Sequence, residues 1–268
     1  MPGTRSDADI LNWLRSEHSR DFVGWDFSYI RERTEELHAD GLWDYDSICT
    51  EALRSAHASL DIDTGGGERY SRYLSEAGLP SFAAAAETWP PNLELARRTL
   101  GPLGVEVADA SGDALPFGEA TFDLILNRHG LVDAEEVKRL LIPGGRLITQ
   151  QVGSRTNREL LSALGVAPDE TGWDSVALRA QLETAGLAVE LAEDGEYVNR
   201  YLDAGAIAWY LKAVPWVIPD FSIDAYSEPL LALHRRIEEE GHFAVTIHQF
   251  IVVATAAPPA SATGGIAV

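Results

Sequence analysis

Apolar and polar positions alternate with two different periods along this chain. Over about residues 8–58 apolar side chains such as Ile10 and Leu14 recur at helical spacing, and Tyr29–His38 reads as a second, charged helical run. From Ala58 onward, short apolar runs alternate with amphipathic segments. Because strands that alternate with helices form parallel sheets, this pattern predicts an α/β fold that follows an N-terminal helical region.

The individual elements follow from the same pattern and from the turn residues between them. The predicted strands are His57–Ile62, Ser81–Ala86, Val105–Ala108, Phe122–Leu126, Arg146–Gln151, Leu187–Leu191 and His242–Ala254. The predicted helices are Gly67–Ala77, Pro91–Leu100, Val132–Leu140, Asn157–Leu164 and Ser175–Ala185, followed by a mostly helical, aromatic-rich segment at 203–240. Pro143-Gly144-Gly145 predicts a turn before the fifth strand, and the small residues and prolines of 257–268 predict a flexible tail.

Composition narrows the class of partner. The chain has 268 residues and a formal net charge of −21, which opposes nucleic-acid binding because that affinity rests largely on Lys and Arg. The single cysteine, Cys49, excludes an internal disulfide and a cysteine-rich zinc site. The chain lacks both the roughly 20-residue apolar run of a membrane span and the pattern of a signal peptide. We therefore expect a cytoplasmic monomer or homodimer without nucleic-acid, membrane or metal partners.

A glycine-rich turn, Asp61-Ile62-Asp63-Thr64-Gly65-Gly66-Gly67, joins the first predicted strand to its helix. Glycine allows left-handed backbone and a close approach to a ligand. Glu87 ends the second strand about 20 residues later, where a carboxylate can accept hydrogen bonds from both hydroxyls of a ribose. No Gly-Lys-Ser/Thr follows, which excludes a phosphate loop. By itself the turn leaves open a nucleotide-type site and a tight turn without a ligand.

Further segments make the pattern specific. Asp113-Ala114-Leu115-Pro116-Phe117, Phe122-Asp123-Leu124 and Leu141–Leu147 follow in the order and spacing of one family. Over about residues 55–155 the chain resembles class I S-adenosylmethionine-dependent methyltransferases. The resemblance implies a Rossmann-like, seven-stranded, mostly parallel sheet with an antiparallel last strand, and S-adenosylmethionine bound across the carboxyl ends of the central strands. It also suggests a methyltransferase domain at 57–256, with an N-terminal cap at 1–56 and a helical substrate-cap insertion at about 200–240.

The resemblance also implies roles for individual residues. Glu87 would hold the cofactor ribose, and Asp113 would accept a hydrogen bond from the adenine amino group. At Asp63 the family usually has glycine, so this carboxylate either pairs with the cofactor ammonium or crowds the site. The full set of implied cofactor contacts is Asp61, Asp63, Thr64, Gly65, Gly66, Gly67, Glu87, Thr88, Trp89, Asp113, Ala114, Asn127 and Arg128.

Candidate catalytic and substrate residues come from the strand ends and the aromatic segments. His129 directly follows the fourth strand, where a neutral imidazole can act as a general base; a structural histidine is the alternative. The predicted substrate contacts are Trp25, His129, Gln150, Gln151, Trp209, Tyr210 and Trp216. For the aromatic residues, plain packing is the alternative to a cap over the acceptor.

These residues predict methyl transfer from S-adenosylmethionine to a small molecule by direct displacement. Two alternatives stay open. One is methylation of an RNA base, which the negative charge and single cysteine disfavour. The other is a protein that binds S-adenosylmethionine without transferring its methyl group, which is motivated by Asp63.

Overall fold

The structure is a computed structural model that describes residues 5–22, 25–37, 42–112, 114–168 and 171–257. Two predictions therefore lie outside the described residues, namely the adenine contact of Asp113 and the flexible tail beyond Ala257. Across the described ranges, no helix has the length and apolar character needed to cross a membrane.

From residue 58 to residue 152 the strands are mostly separated by helices, as the apolar pattern predicts, with one exception: β4 is followed directly by β5. The strands are β1 (Thr34–Leu37), β2 (Ala58–Ile62), β3 (Phe82–Glu87), β4 (Glu106–Asp109), β5 (Phe122–Arg128), β6 (Leu141–Val152), β7 (Leu187–Tyr201) and β8 (Phe243–Ala256). The α-helices are α1 (Asp7–His18), α2 (Tyr45–Leu53), α3 (Glu68–Ala77), α4 (Pro90–Leu100), α5 (Ala134–Leu140), α6 (Arg158–Ala163), α7 (Ser175–Thr184), α8 (Ala204–Ala213) and α9 (Ser227–Glu240). Short 3₁₀ helices cover Ser28–Arg33 and Gly101–Leu103.

One sheet has the strand order β1-β7-β8-β6-β5-β2-β3-β4. The pairs β2–β3, β2–β5, β3–β4 and β5–β6 are all parallel. In this register Ile62 of β2 lies opposite Asn127 of β5, and Arg128 lies opposite Gln150 of β6. The carboxyl ends of these strands therefore meet at one edge, where ligands bind in open α/β sheets.

The predicted fold class, a mostly parallel Rossmann-like sheet with antiparallel pairing, is confirmed, although the described residues form eight strands and not seven. The additional strand, β1, replaces the second half of the helical run predicted at Tyr29–His38. It pairs antiparallel with β7, which extends to Tyr201 and not only to Leu191. The helical prediction was wrong because the glutamates of this run have helical propensity locally, whereas the hydrogen bonds that form β1 come from a distant strand.

Arg33 anchors the start of β1. Its Nε and Nη2 donate to the two oxygens of Asp203, at 2.7 and 2.5 Å, and its Nη1 donates to Glu17 at 2.8 Å. The backbone carbonyl of Arg33 also accepts the N–H of Leu202. These bonds tie the end of the 3₁₀ helix to the loop before α8, so the chain turns into a strand at Thr34.

The predicted turn at Pro143-Gly144-Gly145 also differs in the structure. These residues lie inside β6, which begins at Leu141, and the pairing with β5 shifts register between Phe122 and Leu124. Gly144 has a φ of 82°, a left-handed conformation that suits glycine. The glycines therefore produce an irregularity within a continuous strand.

The chain divides into two compact units with separate apolar cores. The helical unit comprises 1–42, 152–172 and 195–249, and its core centres on α1, α8 and α9. The sheet unit comprises 43–151, 173–194 and 250–268. It has two apolar clusters: one packs the strands against α5 and α7, and the other packs them against α2, α3 and α4. Residues 43–56, which the sequence analysis placed in the N-terminal cap, belong to the sheet unit.

Candidate active site

The glycine turn has the backbone conformation that its sequence predicts. Gly65 and Gly67 have φ angles of 64° and 81°, so both are left-handed, and Gly67 caps the start of α3. A Cβ on Gly67 would come within 2.6 Å of the Leu100 side chain, and one on Gly66 within 2.6 Å of Leu95. Gly66 and Gly67 thus pack closely against α4, and residues 65–67 bring backbone without side chains to the turn after β2.

Glu87 ends β3 beside this turn, and its buried side chain holds the turn in place. One carboxylate oxygen accepts the N–H of Gly65 at 2.8 Å, while the other accepts those of Thr88 and Trp89 at 2.9 and 2.8 Å. A carboxylate can accept about four hydrogen bonds, so Glu87 retains capacity for a ligand hydroxyl. The side chains of Thr88 and Trp89 are exposed next to it.

Asp63, the departure from the family pattern, has a left-handed backbone with a φ of 55°. This explains why glycine suits the position, and aspartate is one of the few other residues that tolerate it. Its Oδ2 accepts the N–H of Leu131 at 3.0 Å, and Gly130 is so near that a Cβ there would lie 2.2 Å from the same oxygen. Asp63 therefore links the turn after β2 to the loop after β5.

The carboxylates at the turn repel one another. Burial raises the pKa of Asp61 to about 7, and the charges of Asp63 and Glu87 act in the same direction. A hydrogen bond from Thr64 Oγ1 at 2.6 Å and the charge of Arg69 oppose them. Burial and the charge of Glu87 raise the pKa of Asp63 to about 6. None of the three carboxylates forms an ion pair with any residue in the described ranges. The site is therefore suited to a positively charged ligand.

Asn127 connects three strand ends. Its Nδ2 donates to the carbonyl of Ile62 at 3.2 Å, and its Oδ1 accepts from Thr149 at 2.9 Å and from Gln151 at 2.6 Å. Asn127 and Gln151 are both buried. The structure thus brings the predicted site residues Asn127 and Gln151 into contact, and their hydrogen bonds are made within the protein.

His129 follows β5 in a left-handed conformation, with a φ of 61°. Its N–H donates to the carbonyl of Gln150 at 2.8 Å, and its Nε2 lies 3.2 Å from the Gln150 side-chain Nε2. The residue is exposed as a whole, and the protein packed around its ring, together with the charges of Arg128 and Arg69, lowers the pKa of the ring well below 6.5.

Arg128 precedes His129 and has a buried Nε without a hydrogen-bond partner among the residues described. Burial lowers the pKa of its guanidinium, and the charge of Arg69 adds to that effect. An unpaired buried donor of this kind is uncommon in a folded protein.

The predicted aromatic contacts lie in the helical unit. Trp209 is 2% exposed and packs in that unit's core, and Tyr210 accepts a hydrogen bond from Asn157 at 2.8 Å. Trp25 and Trp216 are 50% and 62% exposed, with their ring centroids 5.7 Å apart. The interior position of Trp209 fits the packing interpretation, and the exposed pair retains surface for a ligand. In the sheet unit Ala114 is exposed.

Two further residues of this region were not predicted from the sequence as site residues. Trp43 donates from Nε1 to Oε1 of Gln150 at 2.8 Å, and Tyr45 donates from its hydroxyl to the carbonyl of Asn127 at 2.9 Å. Tyr45 begins α2 and Trp43 lies two residues before it, and their partners follow 82 and 107 residues later in the chain. The spacing Trp-x-Tyr before a helix was visible, but only the fold places it at the ends of β5 and β6.

Comparisons with known proteins agree with this geometry. A family profile described as a methyltransferase domain matches residues 60–149. The ubiquinone/menaquinone biosynthesis C-methyltransferase UbiE of Escherichia coli O139:H28 is 32% identical over 210 residues, covering 72% of this chain and 79% of the relative. UbiE of Pseudoalteromonas translucida is 27% identical over 132 residues, covering 45% of this chain and 52% of the relative, so the chain spans about half of that protein.

A solved structure supports the fold. The BH2331 protein of Bacillus halodurans matches with a TM-score of 0.56 at 14% identity, covering 79% of this chain and 98% of the other. The matched methyltransferase domain and the E. coli relative confirm the resemblance to this family, and membership implies S-adenosylmethionine as the methyl donor. This chain belongs to the class I S-adenosylmethionine-dependent methyltransferase family, as the glycine turn, the matched domain and the E. coli relative together show.

Proposed function

We propose that this chain binds S-adenosylmethionine at the carboxyl ends of β2 and β3 and catalyses transfer of its methyl group to a small molecule. The observation that carries the proposal is the group of three carboxylates, Asp61, Asp63 and Glu87, which meets at the left-handed glycine turn. S-adenosylmethionine carries a sulfonium and an ammonium, so its two positive charges offset the repulsion among these carboxylates.

The residues present fit this cofactor. Glu87 has remaining acceptor capacity for the ribose, and the glycine turn offers backbone at close approach. When bound, the cofactor supplies an electrophilic methyl carbon, whose bond to sulfur breaks, with the electron pair staying on sulfur, as the bond to the acceptor atom forms. The contribution of the chain is to align the two reactants and to exclude water; an acceptor atom that carries a proton must also lose it.

The acceptor that we propose is a small molecule methylated on carbon. The net charge of −21 opposes a nucleic-acid substrate. The relatives named above are C-methyltransferases of quinone biosynthesis, which favours an electron-rich carbon beside an oxygen substituent.

Calorimetry tests the cofactor half of the proposal. At pH 6.5 Asp61 and Asp63 are partly protonated, since their pKa values are about 7 and 6. A cation favours their ionised forms, so binding should release protons and affinity should rise between pH 5.5 and 8. Titrations in two buffers of different ionisation enthalpy measure the release. S-adenosylhomocysteine, which lacks the sulfonium, should release fewer protons, and Asp63→Asn should reduce the release.

Transfer is then measured with a radiolabelled methyl donor against a panel of phenols, quinols and enolisable ketones, with RNA as a separate arm. Methylation of a small molecule on carbon is the expected result. Lack of binding to either cofactor form at high micromolar concentration contradicts the proposal. Binding without transfer to any acceptor favours a protein that holds the cofactor for another purpose, and labelling of RNA favours base methylation.

A further inference from the structure

Three side chains form a row at the carboxyl ends of β5 and β6. Trp43 Nε1 lies 2.8 Å from Gln150 Oε1, and Gln150 Nε2 lies 3.2 Å from His129 Nε2. All three belong to the sheet unit, and the backbone bond from His129 N–H to the Gln150 carbonyl holds the two strand ends in register. Gln150 is 5% exposed, so both ends of its amide depend on these neighbours.

The direction of each hydrogen bond in the row follows from the indole. An indole nitrogen can only donate, so the Gln150 oxygen must face Trp43. The NH₂ group of Gln150 then faces His129, and an amide NH₂ also can only donate. His129 Nε2 must therefore accept, which places the proton of the neutral ring on Nδ1.

Protonation of the ring conflicts with the same row. An imidazolium would place an N–H on Nε2 against the NH₂ of Gln150, and turning the amide over would place that NH₂ against the N–H of Trp43. The positive charges of Arg128 and Arg69, together with burial, act in the same direction on the pKa of the ring.

We propose that Trp43 and Gln150 are positioning residues that hold His129 as the neutral Nδ1–H tautomer, so that His129 donates a hydrogen bond and does not act as the general base. Nδ1 has no hydrogen-bond partner within the part of the chain that the structure describes. If the proposed function holds, on which this step rests, the Nδ1–H donates to an oxygen of the acceptor. The acceptor class is then a carbonyl, phenolate or enolate compound, which reaches the site already ionised or loses its proton to solvent.

Nitrogen NMR on the full-length chain, labelled with ¹⁵N-histidine, tests the tautomer directly. Long-range ¹H–¹⁵N spectra at pH 7.5 distinguish a protonated from an unprotonated ring nitrogen, and loss of one signal set in His129→Gln assigns the residue. We expect the Nδ1–H form to exceed the other by about tenfold, the preference that one well-made hydrogen bond supplies. A dominant Nε2–H form, an equal mixture of tautomers or an imidazolium at this pH would overturn the proposal.

Two variants test the cause. In Gln150→Glu the carboxylate can only accept, so Trp43 keeps its partner and His129 must donate from Nε2; the tautomer should invert and the pKa of the ring should rise. In Trp43→Phe the orientation of Gln150 is no longer fixed, and both tautomers should become populated. If the tautomer is unchanged in Trp43→Phe, the proposed role of Trp43 is refuted. This test remains available even if Gln150→Glu does not fold.

Matched controls come from the same unit. Gln181→Glu on the exposed face of α7 makes the same chemical exchange as Gln150→Glu, and Trp173→Phe removes an indole that packs on Phe250. Neither should change the His129 spectrum. The NMR result does not depend on methyl transfer, so failure of the tautomer proposal and failure of cofactor binding in calorimetry are separate observations.

Discussion

Replacement of Asp63 by asparagine should stabilise the ligand-free protein at neutral pH. The raised pKa of Asp63, about 6 in the folded protein against 3.8 for the ordinary side chain, means that its negative charge is unfavourable in the fold. Asparagine tolerates the left-handed φ of 55° and can still accept the N–H of Leu131, but it carries no charge. The exchange therefore removes the cost of ionisation and keeps the geometry.

The magnitude follows from the difference between the two pKa values. Because the folded pKa lies above the unfolded one, the carboxyl contributes fully below about pH 3.8, and this contribution is lost as the pH rises through about 6. At 1.36 kcal/mol per pH unit, the loss is about 3 kcal/mol at pH 8 and only about 0.6 kcal/mol at pH 4. The advantage of Asp63→Asn over the natural chain should therefore grow with pH by roughly 2 kcal/mol.

Urea denaturation of both proteins at pH 4, 6 and 8 measures this difference in the free energy of unfolding. Asp220→Asn is a matched control, since Asp220 also has a left-handed backbone, with a φ of 60°, but is exposed. Its effect on stability should be small at every pH. A natural chain that is as stable as Asp63→Asn at pH 8 would refute the reasoning, since it would show that a cation already compensates the Asp63 carboxylate.

Two further substitutions test the same turn. Glu87→Gln places an NH₂ group against at least one of the backbone N–H groups that now donate to the carboxylate. It should lower the free energy of unfolding by about 1–3 kcal/mol and weaken cofactor binding in calorimetry. The control Glu106→Gln, at an exposed position of β4, should have neither effect. Gly67→Ala combines a left-handed backbone with a Cβ 2.6 Å from Leu100, whereas Gly104→Ala has the same backbone strain but open space around its Cβ. Gly104→Ala should lower the free energy of unfolding by about 1–2 kcal/mol, and Gly67→Ala should lower it clearly more. Equal losses in the two alanine variants would show that α4 yields to the added methyl group.

The sheet could be predicted because its strands and helices alternate in the sequence itself. Runs such as Phe82–Glu87 are buried almost throughout, and apolar runs of this kind need no knowledge of distant partners. β1 could not be predicted in this way, since Thr34–Leu37 is polar and is a strand only through its pairing with β7. The same applies to the register shift in β6, where the glycines by themselves indicate a turn.

The candidate site shows the same limit. The glycine turn and Glu87 occupy the ends of successive strands, so their nearness follows from topology. Asp63 could be recognised as unusual, but its bond to Leu131 depends on how the loop after β5 folds. Tyr45 begins α2 and Trp43 lies just before it, and no spacing rule relates these positions to Gln150 or Asn127.

The nearness of Asp63 to Gly130 also constrains how related sequences can change. A side chain at residue 130 would collide with the Asp63 carboxylate, since its Cβ would lie 2.2 Å from Oδ2. Relatives with glycine at position 63 have no such obstacle and are free to carry a larger residue at position 130. Across the family we therefore expect these two positions to covary, with aspartate at the first requiring glycine at the second. A residue larger than glycine at position 130 is therefore expected only in relatives that have glycine at position 63.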